Sequence, residues 1–176
     1  MREIEWKILS ELMKNSRLSD RELARKIGSS QPTVTRARNK LEKKGYIKEY
    51  TMIPDFSKLG YELLALTFVK LGKGLSPEEV AKAGKIAQES LNRSAFATLM
   101  LERGHGLGYE GVIISYHENY TSYVELRRRL RQHMFLDLSN IETFMISLKD
   151  KVHYRPLTFY AAAEHLLKMK QNEKKE

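Results

Sequence analysis

Between Leu18 and Tyr50 the chain spells two short helices joined by a tight turn, and the second helix is strongly basic. No other stretch restricts the fold as tightly. Ser19 and Glu22 form a capping box, in which the hydroxyl takes a free backbone N–H and the carboxylate reaches back to another. Leu23, Ala24 and Ile27 then recur at helical spacing. Gly28 follows, the residue that most readily takes the left-handed conformation ending a helix. The turn is Gly28-Ser29-Ser30. Ser30 is a good N-cap, and Pro32 falls in the first turn, where its missing N–H costs little. Val34, Ala37 and Leu41 supply the buried stripe of the second helix, and Gly45 ends it.

The remaining faces carry Gln31, Thr33, Thr35, Arg36, Arg38, Asn39, Lys40, Lys43 and Lys44. From Ser30 to Gly45 five Lys or Arg stand against one acid. In a helix-turn-helix the early residues of the second helix meet base edges and its flanks meet phosphates. Gln and Asn bind adenine edges bidentately, Arg binds guanine, and a Thr methyl touches thymine. The expectation is that Gln31, Thr33, Thr35, Arg36 and Asn39 read bases. Arg38, Lys40, Lys43 and Lys44 are expected to hold phosphates, with Ser30 at the cap.

Charge is distributed as a nucleic-acid module predicts. Residues 1–60 hold 14 Lys and Arg against 8 Asp and Glu, whereas residues 61–167 hold 13 against 12. The excess of the +9 net charge therefore sits on the N-terminal third, beside a nearly neutral second module. With 41% hydrophobic residues the chain can bury a core, and a mean hydropathy of −0.50 speaks for a soluble protein. No run approaches the ~20 apolar residues of a membrane span. The N-terminus is charged where a signal peptide needs an apolar core, so a cytoplasmic protein is expected. Cysteine is absent, which removes disulfides and thiolate metal sites.

A first helix, about Glu3 to Asn15, carries Ile4, Ile8, Leu9, Leu12 and Met13 on one face, with Trp6 off that stripe and free to pack on a partner subunit or a second domain. A helix-turn-helix domain thus spans 1–53, its end extended as a wing, and a connector spans 54–60. Residues 61–155 then alternate strand and helix. Strands are predicted at Tyr61–Leu71, Ala95–Leu101, Gly111–Tyr116 and Ile141–Leu148. Helices open at the capping boxes Ser76/Glu79 and Ser122/Glu125. The Gly-rich connection 102–109 is too short for a crossover helix, so its strands run antiparallel. The order βαββαβ is ferredoxin-like, an α+β sheet with two helices on one face. The strands are apolar on both faces, so a second copy of the chain is the simplest cover for the other one. A last helix and charged tail occupy 156–176.

These residues resemble the Lrp/AsnC family of bacterial and archaeal transcription regulators. The resemblance is carried by Ile8-Leu9, Leu18-Ser19, Glu22-Leu23-Ala24, Ile27-Gly28, Ser30, Val34, Leu41-Glu42, Gly45-Tyr46-Ile47, Tyr50-Thr51 and Leu59-Gly60-Tyr61. It implies a homodimer, often assembling further, that binds operator DNA and responds to an amino acid or other small-molecule effector. From the residues themselves no cofactor, metal or membrane partner is expected. Two positions depart from the family pattern. Arg38 stands where an apolar residue is usual. The Gly-x-x-Asp signature before the third strand reads Gly108-Tyr109-Glu110-Gly111, with the acid one residue early.

The loop around that signature is the candidate effector site, with His105, Gly106, Gly108, Tyr109, Glu110 and the bracketing His117. Its literal G-x-G-x-x-G lacks the following helix that a dinucleotide site requires. No histidines stand at the i, i+4 spacing of a helical metal pair. Two rival readings share the architecture. A sirohaem-decarboxylase-like enzyme needs His105, His117 and Arg103 to line one tetrapyrrole pocket. An architectural protein coats DNA without sequence preference.

Overall fold

The computed structural model describes residues 1–92, 97–137, 141–152 and 156–173. It divides the chain into two compact units, Met1–Pro54 with His153–Glu176, and Asp55–Val152. The last helix therefore belongs with the first domain, and residues 55–60 belong with the sheet. Position 155, taken above as a domain end, and the final three residues of the tail lie outside the described residues.

The first unit holds α1 (Glu3–Lys14), α2 (Asp20–Ile27) and α3 (Gln31–Lys43). The capping box is formed at Ser19: its Oγ accepts from Glu22 N–H at 3.3 Å, and the Glu22 carboxylate takes the Ser19 N–H at 2.8 Å. Gly28 ends α2 at φ 68°, left-handed as its position demands. Ile8, Leu23, Val34, Ala37 and Leu41 are essentially sealed from solvent, and Leu12, Leu18 and Ala24 complete one core. Residues 47–53, the expected extended segment, carry no helix and form no strand ladder. Ile47 packs against the core, and Ser16 Oγ holds the Thr51 carbonyl at 2.6 Å.

The fourth helix of this unit, here α6 (Tyr160–Glu173), packs along α1. Ser10, fully buried, donates its hydroxyl to the Ala163 carbonyl at 3.0 Å. Lys14 pairs with Glu164 and lies over the Tyr160 ring, 5.2 Å from its centroid. Trp6, one turn ahead of Ser10, is half-buried.

The second unit is a four-stranded antiparallel sheet of order β2-β3-β1-β4, from β1 (Leu63–Val69), β2 (Ala97–Gly106), β3 (Tyr109–His117) and β4 (Glu142–Ser147). With α4 (Pro77–Asn92) and α5 (Tyr120–Arg131) it gives the expected βαββαβ order. Several boundaries differ from expectation, two of them by more than a fraying residue or two at a strand end. β2 runs on through the stretch read as a loop, so the connection shrinks to a two-residue turn at Leu107-Gly108, both at positive φ (54° and 80°). That is the backbone twist which suits a tight hairpin. α5 opens three residues early, because Asn119 rather than Ser122 supplies the cap, accepting the Ser122 N–H at 2.9 Å. Residues 95 and 96, predicted to begin β2, lie outside the described residues.

Strand alternation sorts the two faces. Ala65, Thr67 and Val69 of β1 lie beside Ser115, Ile113 and Gly111 of β3 on the helix side. There a polar chain is fully bonded: Tyr123 Oη donates to Thr143 Oγ1 at 2.7 Å, which donates to Thr67 Oγ1 at 3.2 Å. The opposite face carries Leu64, Leu66 and Phe68 beside Tyr116, Ile114 and Val112, flanked by Phe144 and Met100. Phe56 stacks on Tyr116 at 3.6 Å and covers one end. Phe144, 63% exposed, marks the open end.

Candidate nucleic-acid interface

α3 is anchored through one face and stripped bare on the other. Val34, Ala37 and Leu41 enter the core. One angular step to the side, Arg38 takes the place of an apolar residue by spending its guanidinium inward. Its Nη1 donates to Asp20 Oδ1 at 3.0 Å and to the Leu18 carbonyl at 3.2 Å, and its Nε donates to Tyr50 Oη at 2.8 Å. The guanidinium also lies 4.6 Å from the Tyr50 ring centroid, a cation–π contact. Tyr50 Oη in turn donates to Glu42 at 2.5 Å. Thr35 donates its hydroxyl to the other oxygen of Asp20 at 2.6 Å. Asp20 thus ties α2 to α3, and Tyr50 ties the extended segment to both.

The opposite flank is tied to α1. Lys40 Nζ lies 2.7 Å from Glu5 Oε1. Glu5 is buried and also receives the Arg2 N–H at 2.8 Å. The hydrogen bond from Lys40, more than any other influence, holds the Glu5 carboxyl at about 2 against an ordinary 4.5. Three residues expected to face DNA, Thr35, Arg38 and Lys40, are thereby committed within the domain. No spacing in the sequence announces those partners. Glu5 on the buried side of α1 was the available hint, since a carboxylate there calls for a cation.

What remains outward is a ridge of Pro32, Arg36, Asn39 and Lys43, each three or four residues from the next, with Gln31 at the helix start and Lys44 at its end. Arg36 is exposed, and its Nε folds back only on the Pro32 carbonyl at 3.2 Å. The side chains of Gln31, Asn39, Lys43 and Lys44 have no hydrogen-bond or ion-pair partner among the described residues. Ser30 precedes α3 with extended backbone but does not cap it with its side chain; its hydroxyl instead meets Thr33 Oγ1 at 2.8 Å. Both hydroxyls remain at the exposed helix start.

Residues 1–48 match the winged helix-turn-helix DNA-binding family. The HTH-type transcriptional regulator LrpC of Bacillus subtilis is 52% identical over 58 residues, which cover 33% of this chain and 40% of that protein. Over the whole fold, the AsnC family transcriptional regulator of Agrobacterium tumefaciens superposes with a TM-score of 0.72 at 17% identity, covering 90% of this chain and 97% of that one. The chain has the fold of that regulator. A transcriptional regulator of Neisseria meningitidis solved with L-Met shares it, at a TM-score of 0.71 and 18% identity, covering 92% of this chain and 99% of that one. The match to the Bacillus relative spans less than half the length of either chain.

The effector residues expected around the hairpin do not assemble. His105, Gly106 and Gly108 are exposed at its tip. His117 lies eight residues beyond Tyr109 at the other end of β3, roughly 26 Å away along the strand. It is fully buried, with its Nε2 2.8 Å from Ser115 Oγ and its Nδ1 3.4 Å from Ser122 Oγ. Burial lowers its pKa, so the neutral ring is favoured. Nor do His105, His117 and Arg103 converge on one tetrapyrrole pocket. Glu110 is used locally, accepting the Leu71 N–H at 2.9 Å. No helix among the described residues is long and apolar enough to cross a membrane.

Proposed function

We propose that this chain is a sequence-specific regulator of transcription that acts by binding double-stranded DNA, not by catalysis. The observation that carries the reading is the single exposed ridge of α3. Its other faces are locked to α1, α2 and the extended segment, so Gln31, Arg36 and Asn39 can enter a major groove on a rigid support while Lys43 and Lys44 meet phosphates. The helix start adds Ser30 and Thr33. Arg38, Thr35 and Lys40 set the attitude of α3 rather than touch DNA.

A homodimer through the bare face of the sheet supplies the second recognition helix, and higher assembly can build on that pair. Two half-sites about one helical turn apart, ~34 Å, are then expected on a pseudo-palindromic operator. The place of action is the cytoplasm, where such DNA lies. The named relatives and the basic N-terminal third support this reading over an enzymatic one.

Fluorescence anisotropy on the chain's own upstream DNA and on a scrambled duplex, at ~150 mM salt, is the test. Affinity for the upstream site at least ~10³-fold tighter is expected. Equal binding to both, with a steep salt dependence, is the signature of an architectural protein and overturns sequence specificity. Binding to neither overturns the DNA reading itself.

A further inference from the structure

Within residues 55–152 a cavity of about 420 Å³ lies between the sheet and the two helices α4 and α5. Its walls are apolar, built by Val69, Ile113, Ala83, Leu126 and Leu136 among others. Gly111 forms part of its floor, where an added Cβ would come within 2.9 Å of Val69 Cγ2. The volume falls in the range of about 300–1,000 Å³ typical of small-molecule sites.

Three polar side chains give this space a chemical preference. Arg103 and Arg129 line it, and the register of Arg103 opposite Gly111 places it on the helix side of the sheet. Arg103 has no partner among the described residues. His133 lines it too, with both ring nitrogens closed off from solvent and without a hydrogen-bond partner. Orphaned buried nitrogens of this kind are rare and call for an explanation such as an absent ligand or water. Burial lowers the His133 pKa, so the neutral ring offers one donor and one acceptor. Two acids also belong to the wall. Glu102 alternates to the opposite face beside Val112, and one carboxylate oxygen of Glu110 accepts the Leu71 N–H at 2.9 Å.

We propose that this cavity binds a carboxylic acid with a large apolar body and no amine. The carboxylate meets Arg103 at the mouth, beside Arg129, which also pairs with Glu125 at 3.5 Å, and the apolar body fills the space beneath α4 and α5 beside His133. The site is independent of the hairpin-tip residues, and the inference does not rest on the DNA reading, because its test contains no DNA.

Isothermal titration of the full chain with 3-phenylpropionate, 3-phenylpropionamide and L-phenylalanine decides it. Saturable binding of the acid at roughly 1 mM or tighter is expected, with the amide at least about tenfold weaker for lack of the charge-assisted hydrogen bonds. Arg103→Gln, at an exposed position whose loss does not threaten the fold, should weaken the acid by roughly tenfold and leave the amide unchanged. Ala83→Phe, which fills the space, should abolish binding. Phenylalanine binding as well as the acid overturns the ligand class. No binding by any of the three to the wild-type chain overturns the site, as does acid binding that survives both variants.

Discussion

Replacing Lys40 by Met separates a scaffold role from a DNA role at one position. Lys40 extends from the basic helix yet lies 2.7 Å from the buried Glu5. A carboxyl drawn from 4.5 to about 2 corresponds to about 3 kcal/mol of folding free energy. The Lys40 side chain is 43% exposed, so water screens part of that attraction. Lys40→Met is therefore expected to cost about 2 kcal/mol at pH 7, read from urea denaturation followed by far-UV circular dichroism. The sign with pH follows from the depressed carboxyl. The contribution is fully present above about 4.5 and is lost as pH falls toward about 2, so the gap between variant and wild type should close over that window. The slope of log affinity for DNA against log salt should stay unchanged, because no phosphate contact is removed. A variant as stable as the wild type at pH 7, with a shallower salt slope, would refute the placement of Lys40 inside the domain.

Other substitutions test neighbouring steps. Arg36→Ala should cost about 1–3 kcal/mol on the specific site and little on random duplex, whereas Lys43→Ala should weaken both alike and flatten the salt slope by about one; identical behaviour of the pair would remove the distinction between reading and holding. Phe144→Glu, at the 63% exposed end of the bare sheet face, should halve the mass seen by light scattering, and an unchanged mass would assign the dimer contact elsewhere. Leu107 sits at φ 54° in an exposed turn, so Leu107→Asn should raise the denaturation midpoint by the equivalent of about 0.5–1 kcal/mol. A fall instead would mean that the 86% exposed leucine is held by something outside the chain.

Local chemistry was readable, and distant chemistry was not. The Ser19/Glu22 box, the left-handed Gly28 and the Val34-Ala37-Leu41 stripe are short-range devices, and each stands where its spacing placed it. The βαββαβ order was legible for the same reason, since alternation and capping are local signals. The overcounted DNA-facing set has a long-range origin. Arg38, Thr35 and Lys40 meet Asp20, Tyr50 and Glu5 across separations no periodicity encodes, so a count of basic side chains overstated the DNA-facing set. In β2, glycines at 104 and 106 read as a loop, but the pairing of β2 with β3 outweighs their weak strand preference. At α5, Asn119 took the cap from Ser122, because either residue type can serve and only the backbone path chooses.

The bond from Ser10 to Ala163 closes a span of 153 residues. Synthesis at about 5–20 residues per second puts roughly 8–30 s between the emergence of its two ends. During that interval α1 waits with its Ser10 face unclosed while the whole sheet unit is made. The support of a recognition helix made before the sheet is thus completed only after it. Chains cut short after the sheet would carry that helix on an incomplete support, so the pairing of α6 with α1 makes the DNA-binding unit wait on the sheet unit.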